Sequence, residues 1–490
     1  MRRYLDLSAV IITALVSRLA SWFMQGAGGL EELLNLHLVS RPFIASLGPI
    51  LHDQQPPLYQ LLLTVWSGFW GDSLFVARVL SCLLGLATVV VVWFLAHEIA
   101  GRWEANVAAL LIALSPLAIV SSVLAQSDVL FILLISLTGW AYWRVGRLGC
   151  TRRSLALWSF LAGAALLTNT LAFLPLVVLI IWVIAKVGGS ARWRFLLASF
   201  FAVIPFALWL SIDFSGRLTS WTDLINIELI TFLSTLLTKP GQLLFFGHGW
   251  LLSILVGLLV IFLLLLSVRP KPTETVNGAL LLLMLVVAIP LFIIMVSGNT
   301  ELRYYIVALP TLAVSVAIGA LKATSLVSST KNRRLAMIVM VLIGAVLLFS
   351  PLLNLVSQPR NYWNEAMRFI ENRENHGDLI LIERPIFQLP VTEYYHGILP
   401  KRFGFSPDKV LPPRENLIYQ DQAVQVGLIS LDHPTNDLVI FQRVFLITDI
   451  VQLNENPVQR WFIEHGWKPG EVWVKSGLTS GIILFERIVH

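Results

Sequence analysis

Charge is what this chain has least of. Only 13% of its 490 residues are Asp, Glu, Lys or Arg, where a water-soluble globule carries about 25%. With 57% hydrophobic residues and a mean hydropathy of +0.77, most of the surface is suited to lipid, which excludes an ordinary soluble domain. Cysteine is nearly absent. Cys82 stands in an apolar run and Cys150 in a basic loop, so neither a disulfide framework nor a thiolate metal site is implied. No repeat of solenoid period is visible. Acids are missing altogether from Val129 to Ile212. The net charge of +6 does not point to nucleic acid, because the Lys and Arg residues collect in short loops between apolar runs, the positive-inside pattern.

What is there is a series of long apolar runs. A helix needs about 20 apolar residues to cross a bilayer. That length predicts spans near 5–24, 75–97, 104–122, 127–145, 155–170, 172–187, 195–212, 249–267, 277–297, 303–321 and 335–356. The first is read as a retained signal anchor. With about eleven crossings, the loops holding Arg144, Arg147, Arg152 and Arg153, then Lys186, Arg192 and Arg194, then Arg269 and Lys271, then Lys322, Lys331, Arg333 and Arg334 all share the side of the N-terminus. That side is therefore expected to be cytoplasmic, in an integral plasma membrane protein. The segments 25–74, 213–248, 298–302 and 357–490 then face outward. Leu58 to Trp70 and Trp221 to Leu237 read as interfacial segments rather than spans.

Charge and turn residues return after Gln358. Asn361 to Asn372 reads as an amphipathic helix with Trp363, Ala366, Met367 and Ile370 on one face. Asp378–Ile382, Val439–Phe441, Arg443–Ile447 and Gly481–Phe485 read as buried strands. The expected fold is a polytopic α-helical membrane domain, 1–356 with a first outer loop 25–74, followed by a small extracytoplasmic α/β domain, 357–490.

Several polar residues stand out against this background. Glu31 and Glu32 follow a Gly-rich turn, and Asp53 precedes Pro56 and Pro57. Asp128 closes the last acid before the acid-free run. The acids read either as helix caps and first-turn residues favoured by the dipole or as acid/base groups. A carboxylate near a bilayer is costly enough to suggest a site. Asp53 and Asp128 would be a weak pair of ligands for a divalent cation. His52 has no second His at ligand spacing. Arg18 and Arg78 lie in apolar spans and need partners there. Arg303, followed by Tyr304 and Tyr305, either snorkels to headgroups or grips a phosphate through a charge-assisted pair.

These residues resemble the C-type superfamily of membrane glycosyltransferases, and more narrowly the family 39 group of protein O-mannosyltransferases and lipid A aminoarabinose transferase relatives. The resemblance rests on Arg18 in span one, on Glu31-Glu32-Leu33-Leu34-Asn35-Leu36, and on Asp53-Gln54-Gln55-Pro56-Pro57-Leu58-Tyr59. It continues through Ala77-Arg78-Val79-Leu80-Ser81 to Gly85, then Ala113-Leu114-Ser115-Pro116, then Arg303-Tyr304-Tyr305 to Leu309-Pro310. It implies an inverting transfer of a sugar from a polyprenyl phosphate to a hydroxyl of a lipid, glycan or protein acceptor on the outer face. The implied base is Glu31, where the family has Asp, with Glu32 and Asp53 as alternatives. The donor phosphate would meet Arg303, Tyr304 and Arg78. Two further departures are plain: Gln55 replaces the family's His, and Leu124 replaces a Glu that Asp128, one helical turn on, is expected to restore on the same face. A transporter or flippase for a lipid-linked substrate would instead place its charged groups midway across the membrane in repeated halves. A non-catalytic subunit of a transferase complex is the remaining reading.

Overall fold

A computed structural model describes residues 2–23, 25–26, 28–53, 55–212, 250–268, 302–325, 362–404, 428–429, 438, 441–449, 457–474 and 480–487. The chain forms two compact units. One holds residues 1–24 and 54–358, the other 25–53 and 359–490.

The first unit is helical. Its described helices are α1 (Arg2–Phe23), α4 (Leu58–Trp70), α5 (Leu74–Ile99), α6 (Arg102–Leu114), α7 (Pro116–Val123), α8 (Ser127–Leu148), α9 (Arg152–Leu166), α10 (Phe173–Lys186), α11 (Gly189–Ile212), α12 (Trp250–Val268) and α13 (Leu309–Ser325). Among the described residues, four helices are long and apolar enough to cross a membrane: Leu74–Ile99, Ser127–Arg147, Gly189–Ile212 and Tyr305–Thr324. The expected spans 277–297 and 335–356 lie outside the described residues, as does the interfacial segment from Trp221 to Leu237.

The expected span 104–122 is a broken one. α6 and α7 bend by 58° at Ser115, because Pro116 has no N–H to continue the ladder and crowds the preceding turn. The freed carbonyl of Ala113 is taken up from α1. It accepts the Ser17 hydroxyl at 3.0 Å and the Arg18 Nη1 at 3.2 Å. Arg18 is fully buried, and its cation lies at the C-terminal end of α6, where the helix dipole favours positive charge. Bare helix faces bring the packing close. A Cβ on Gly319 of α13 would collide with the Leu263 backbone carbonyl of α12, and one on Gly163 of α9 would sit 3.0 Å from the Ala202 carbonyl of α11.

The second unit joins α2 (Leu30–Val39) and α3 (Phe43–Leu51) to an α/β domain. Its described elements are α14 (Trp363–Glu371), β1 (Leu379–Ile382), α15 (Gln388–Tyr394), β2 (Lys401–Gly404), β3 (Leu428–Ile429), β4 (Arg443–Asp449), α16 (Pro457–Glu464), β5 (Trp467–Trp473) and β6 (Ser480–Arg487). The sheet order is β3-β2-β1-β4-β6-β5. The first four strands in that order are parallel, and β6 and β5 add antiparallel. Helices cover both faces, which is why Leu379–Ile382 is an uninterrupted apolar run. Ile380 and Ile382 pack with Trp363, Met367 and Ile370 of α14, and Leu379 and Leu381 pack with Phe462 of α16. The amphipathic stripe read from the sequence, Trp363, Ala366, Met367 and Ile370, is wholly buried.

Candidate active site

The acidic segment is built by its glycines. Gly29 is the N-cap of α2, and its N–H donates to the Glu32 Oε2 at 3.1 Å, the carboxylate half of a capping box. Glu32 is only 1% exposed. The cap therefore uses Glu32 structurally, and Glu31, one position earlier in the same turn, keeps part of its surface open. Both charges are favoured by the N-terminal dipole. Asp53 is also 1% exposed and follows α3, which packs on α2. The expected alternative role of Asp53, capping the next helix, does not fit, since the N-cap of α4 is Pro57. His52 caps α3, with its Nδ1 2.8 Å from the Gly48 carbonyl.

α2 is held on the α/β domain. Leu30 packs on its core, and α2 lies against α15 and the turn Pro385–Phe387. The Gly28 N–H donates to the Tyr394 hydroxyl at 2.6 Å, and that hydroxyl lies 3.4 Å from the Gly28 carbonyl. Tyr394 thus pins the backbone one residue before the cap. Tyr394→Phe is expected to lower the turnover of any reaction that uses Glu31 several-fold while leaving the α/β domain folded. A hydrogen bond of this kind is worth about 1 kcal/mol. Equal turnover in the variant and the wild type would show that this clasp is not needed.

His37 of α2 carries a pH dependence. Burial first, then Arg41, pushes its imidazole below the ordinary 6.5. The unfolded chain therefore binds the proton more readily than the folded one, so stability rises with pH between the lowered value and 6.5. The contribution is complete above that window and lost as the pH falls through it. A melting curve series between pH 5 and 7 should show this slope in the wild type and a flatter one in His37→Gln.

The helical unit gathers the second set of residues. Arg78, in the second turn of α5, is 4% exposed, and Asp128 is 8% exposed. α8 begins at Ser127 with Gln126 as its N-cap. Asp128 is thus a first-turn residue and not the cap that its sequence position suggested. α5 and α8 pack along each other, and α6 and α7 return the chain between them, so both residues stand at the same end of the unit. The 3-10 turn Leu302–Ala308, which carries Arg303 and Tyr304, packs against α7 and α8. Arg18, from α1, lies deeper. Among the described residues its Nε and Nη2 have no hydrogen-bond partner. Among the described residues no three His, Cys, Asp or Glu side chains gather in a way that would hold a metal ion.

Sequence reasoning missed two contacts that shape these sites. Tyr394 has no sequence signal that pairs it with Gly28. The bracing of the broken span by Ser17 and Arg18 had one: a proline inside an apolar run leaves carbonyls in need of donors.

Known proteins bear on this geometry. Residues 54–212 match the family described as dolichyl-phosphate-mannose-protein mannosyltransferase. No curated protein matches the chain by sequence. Among solved structures, ArnT from Cupriavidus metallidurans bound to undecaprenyl phosphate is similar with a TM-score of 0.61 and 14% identity, over 98% of this chain and 97% of that one. The archaeal oligosaccharyltransferase AglB from Archaeoglobus fulgidus, in complex with an inhibitory peptide and a dolichol-phosphate, is similar with a TM-score of 0.55 and 12% identity, over 98% of this chain and 74% of that one. At such identities the likeness is one of fold. It bears out the resemblance read from the sequence: the chain has the fold of the C-type membrane glycosyltransferase superfamily, of the mannosyltransferase and ArnT kind.

Proposed function

We propose that the protein transfers a sugar from a polyprenyl phosphate to a hydroxyl of a lipid, glycan or protein acceptor, with inversion, on the outer face of the plasma membrane. The N-terminus is cytoplasmic in this reading. The observation that carries it is the placement of the buried Arg78 and Asp128 at the end of the helical unit where the turn bearing Arg303 and Tyr304 packs. A lipid phosphate is the ligand suited to that cationic end, and two proteins of this fold are seen with undecaprenyl phosphate and with dolichol-phosphate.

The chemistry follows from the residue types. The acceptor oxygen attacks the anomeric carbon as Glu31 takes its proton, the work of a positioned general base. The bond from that carbon to the phosphate oxygen breaks, and the phosphate leaves on its lipid with its electron pair. Arg303, Tyr304 and Arg78 stabilise the departing charge, an effect often the largest single term in such a site. Asp53 is the second candidate base. Asp128 either orients Arg78 or serves as a ligand of a divalent cation, which would add to the neutralisation of the phosphate.

The test uses purified protein in lipid nanodiscs, a polyprenyl-phosphate sugar and a hydroxyl acceptor. Release of free polyprenyl phosphate is expected with the wild type. It should fall at least about tenfold in Arg303→Ala, since a charge-assisted contact is worth roughly 1.5–3 kcal/mol, and fall in Asp53→Asn. Identical rates in all three would overturn the site.

A further inference from the structure

We propose that the groove between α9 and α11 binds an anionic glycerophospholipid, its acyl chains lying along the groove and its headgroup between Arg152 and Arg194. The groove encloses about 820 Å³. Its origin lies in how the two helices meet. The Ser159 hydroxyl donates to the Ala198 carbonyl at 2.8 Å, and Gly163 lets the Ala202 backbone come close, the small-residue contact typical of helices in lipid. The floor beside that contact is low, formed by Ala156, Gly163, Ala164 and Ala198. Phe160 and Phe201 rise on its flanks, both largely exposed. At one end Leu58 and Leu167 close it, where the Leu58 N–H donates to the Leu167 carbonyl at 2.9 Å.

The other end decides the occupant. Arg152 and Arg194 both line it, both are exposed, and among the described residues neither side chain makes a hydrogen bond or an ion pair. Two uncompensated guanidinium groups at the mouth of an apolar trough complement one phosphate on a pair of hydrocarbon chains. The dimensions agree. From Arg152 to Leu167 the helix rises about 22 Å, and one leaflet of hydrocarbon is about 15 Å thick, which leaves room for the headgroup.

The lipid is not the sugar donor. Asp128 opens α8, and Arg152 follows the far end of that helix. The headgroup therefore sits at the face opposite the end where the donor phosphate is placed above, and the choice of leaflet rests on that reading. The groove itself does not depend on catalysis.

Delipidated protein is loaded in turn with phosphatidylglycerol, phosphatidylcholine and a polyprenyl phosphate, and retention is read by native mass spectrometry. Wild type should hold phosphatidylglycerol about tenfold more strongly than phosphatidylcholine. The exposed double change Arg152→Gln with Arg194→Gln should erase that preference, and Ala156→Trp should lower retention of both. Equal retention of the two phospholipids would overturn the proposal, as would an unchanged preference in the arginine variant. One-for-one displacement of phosphatidylglycerol by the polyprenyl phosphate would overturn it too, because the groove would then be the donor's. Retention is measured without sugar transfer, so a failure of the transferase reading leaves this result standing, and the reverse holds.

Discussion

Glu31→Gln is expected to reduce sugar transfer by roughly 10²–10⁴-fold, the span that a positioned general base contributes, while the protein stays folded. The contrast with its neighbour makes this decisive. Glu32 accepts the Gly29 N–H and is buried. Glutamine can accept the same hydrogen bond at that position of a capping box, so Glu32→Gln should keep most of the activity. The two variants carry the same chemical change one residue apart, on one turn of one helix. If Glu31 is the base, the loss follows the half-buried residue and not the one that caps. Release of polyprenyl phosphate, compared across wild type, Glu31→Gln and Glu32→Gln at matched expression, checks this. A Glu32→Gln variant as poor as Glu31→Gln, or poorer, would move the base elsewhere, with Asp53 next in line.

How far these features could be read in advance depends on whether their causes are local. The stripe Trp363, Ala366, Met367 and Ile370 is a period, and a period survives into the structure unchanged. The apolar run at Leu379–Ile382 is local too, because a strand covered on both faces needs no alternation. The spans 75–97 and 127–145 correspond to α5 and α8 for the same reason. By contrast, the packing of segment 25–53 with residues 359–490 leaves no local mark. Gly28 meets Tyr394 across 366 positions, and no propensity encodes that. Asp128 shows a subtler failure. It has the side chain of a good cap, but the helix starts at Ser127 with Gln126 in the cap position, so its burial, and not its capping, is what the structure adds. Gly85 was legible as the end of a motif and not as a cause.

That cause yields the other large effect. Gly85→Ala should lower the melting temperature of the protein by several degrees and take activity with it. A Cβ at Gly85 of α5 would run into the Ser122 side chain of α7 and stand 3.1 Å from the Arg18 Nε of α1. Three segments meet there, and none gives way cheaply. Ser122 also donates its hydroxyl to the Ala118 carbonyl at 2.5 Å, and Arg18 holds the Ala113 carbonyl at the break between α6 and α7. Overpacking a tight interior costs about 1–3 kcal/mol. Here the displaced helix is α7, which leads into Asp128 and packs on the turn carrying Arg303. Strain at Gly85 should therefore reach the end that holds Asp128 before it unfolds the chain. The double variant Gly85→Ala with Ser122→Gly exchanges the missing Cβ across the contact and should recover much of both stability and turnover, whereas Ser122→Gly alone should recover nothing and lose a little packing. A Gly85→Ala protein that melts and turns over like the wild type would mean that α5, the Ser122 side chain of α7 and Arg18 of α1 do not meet closely at this point.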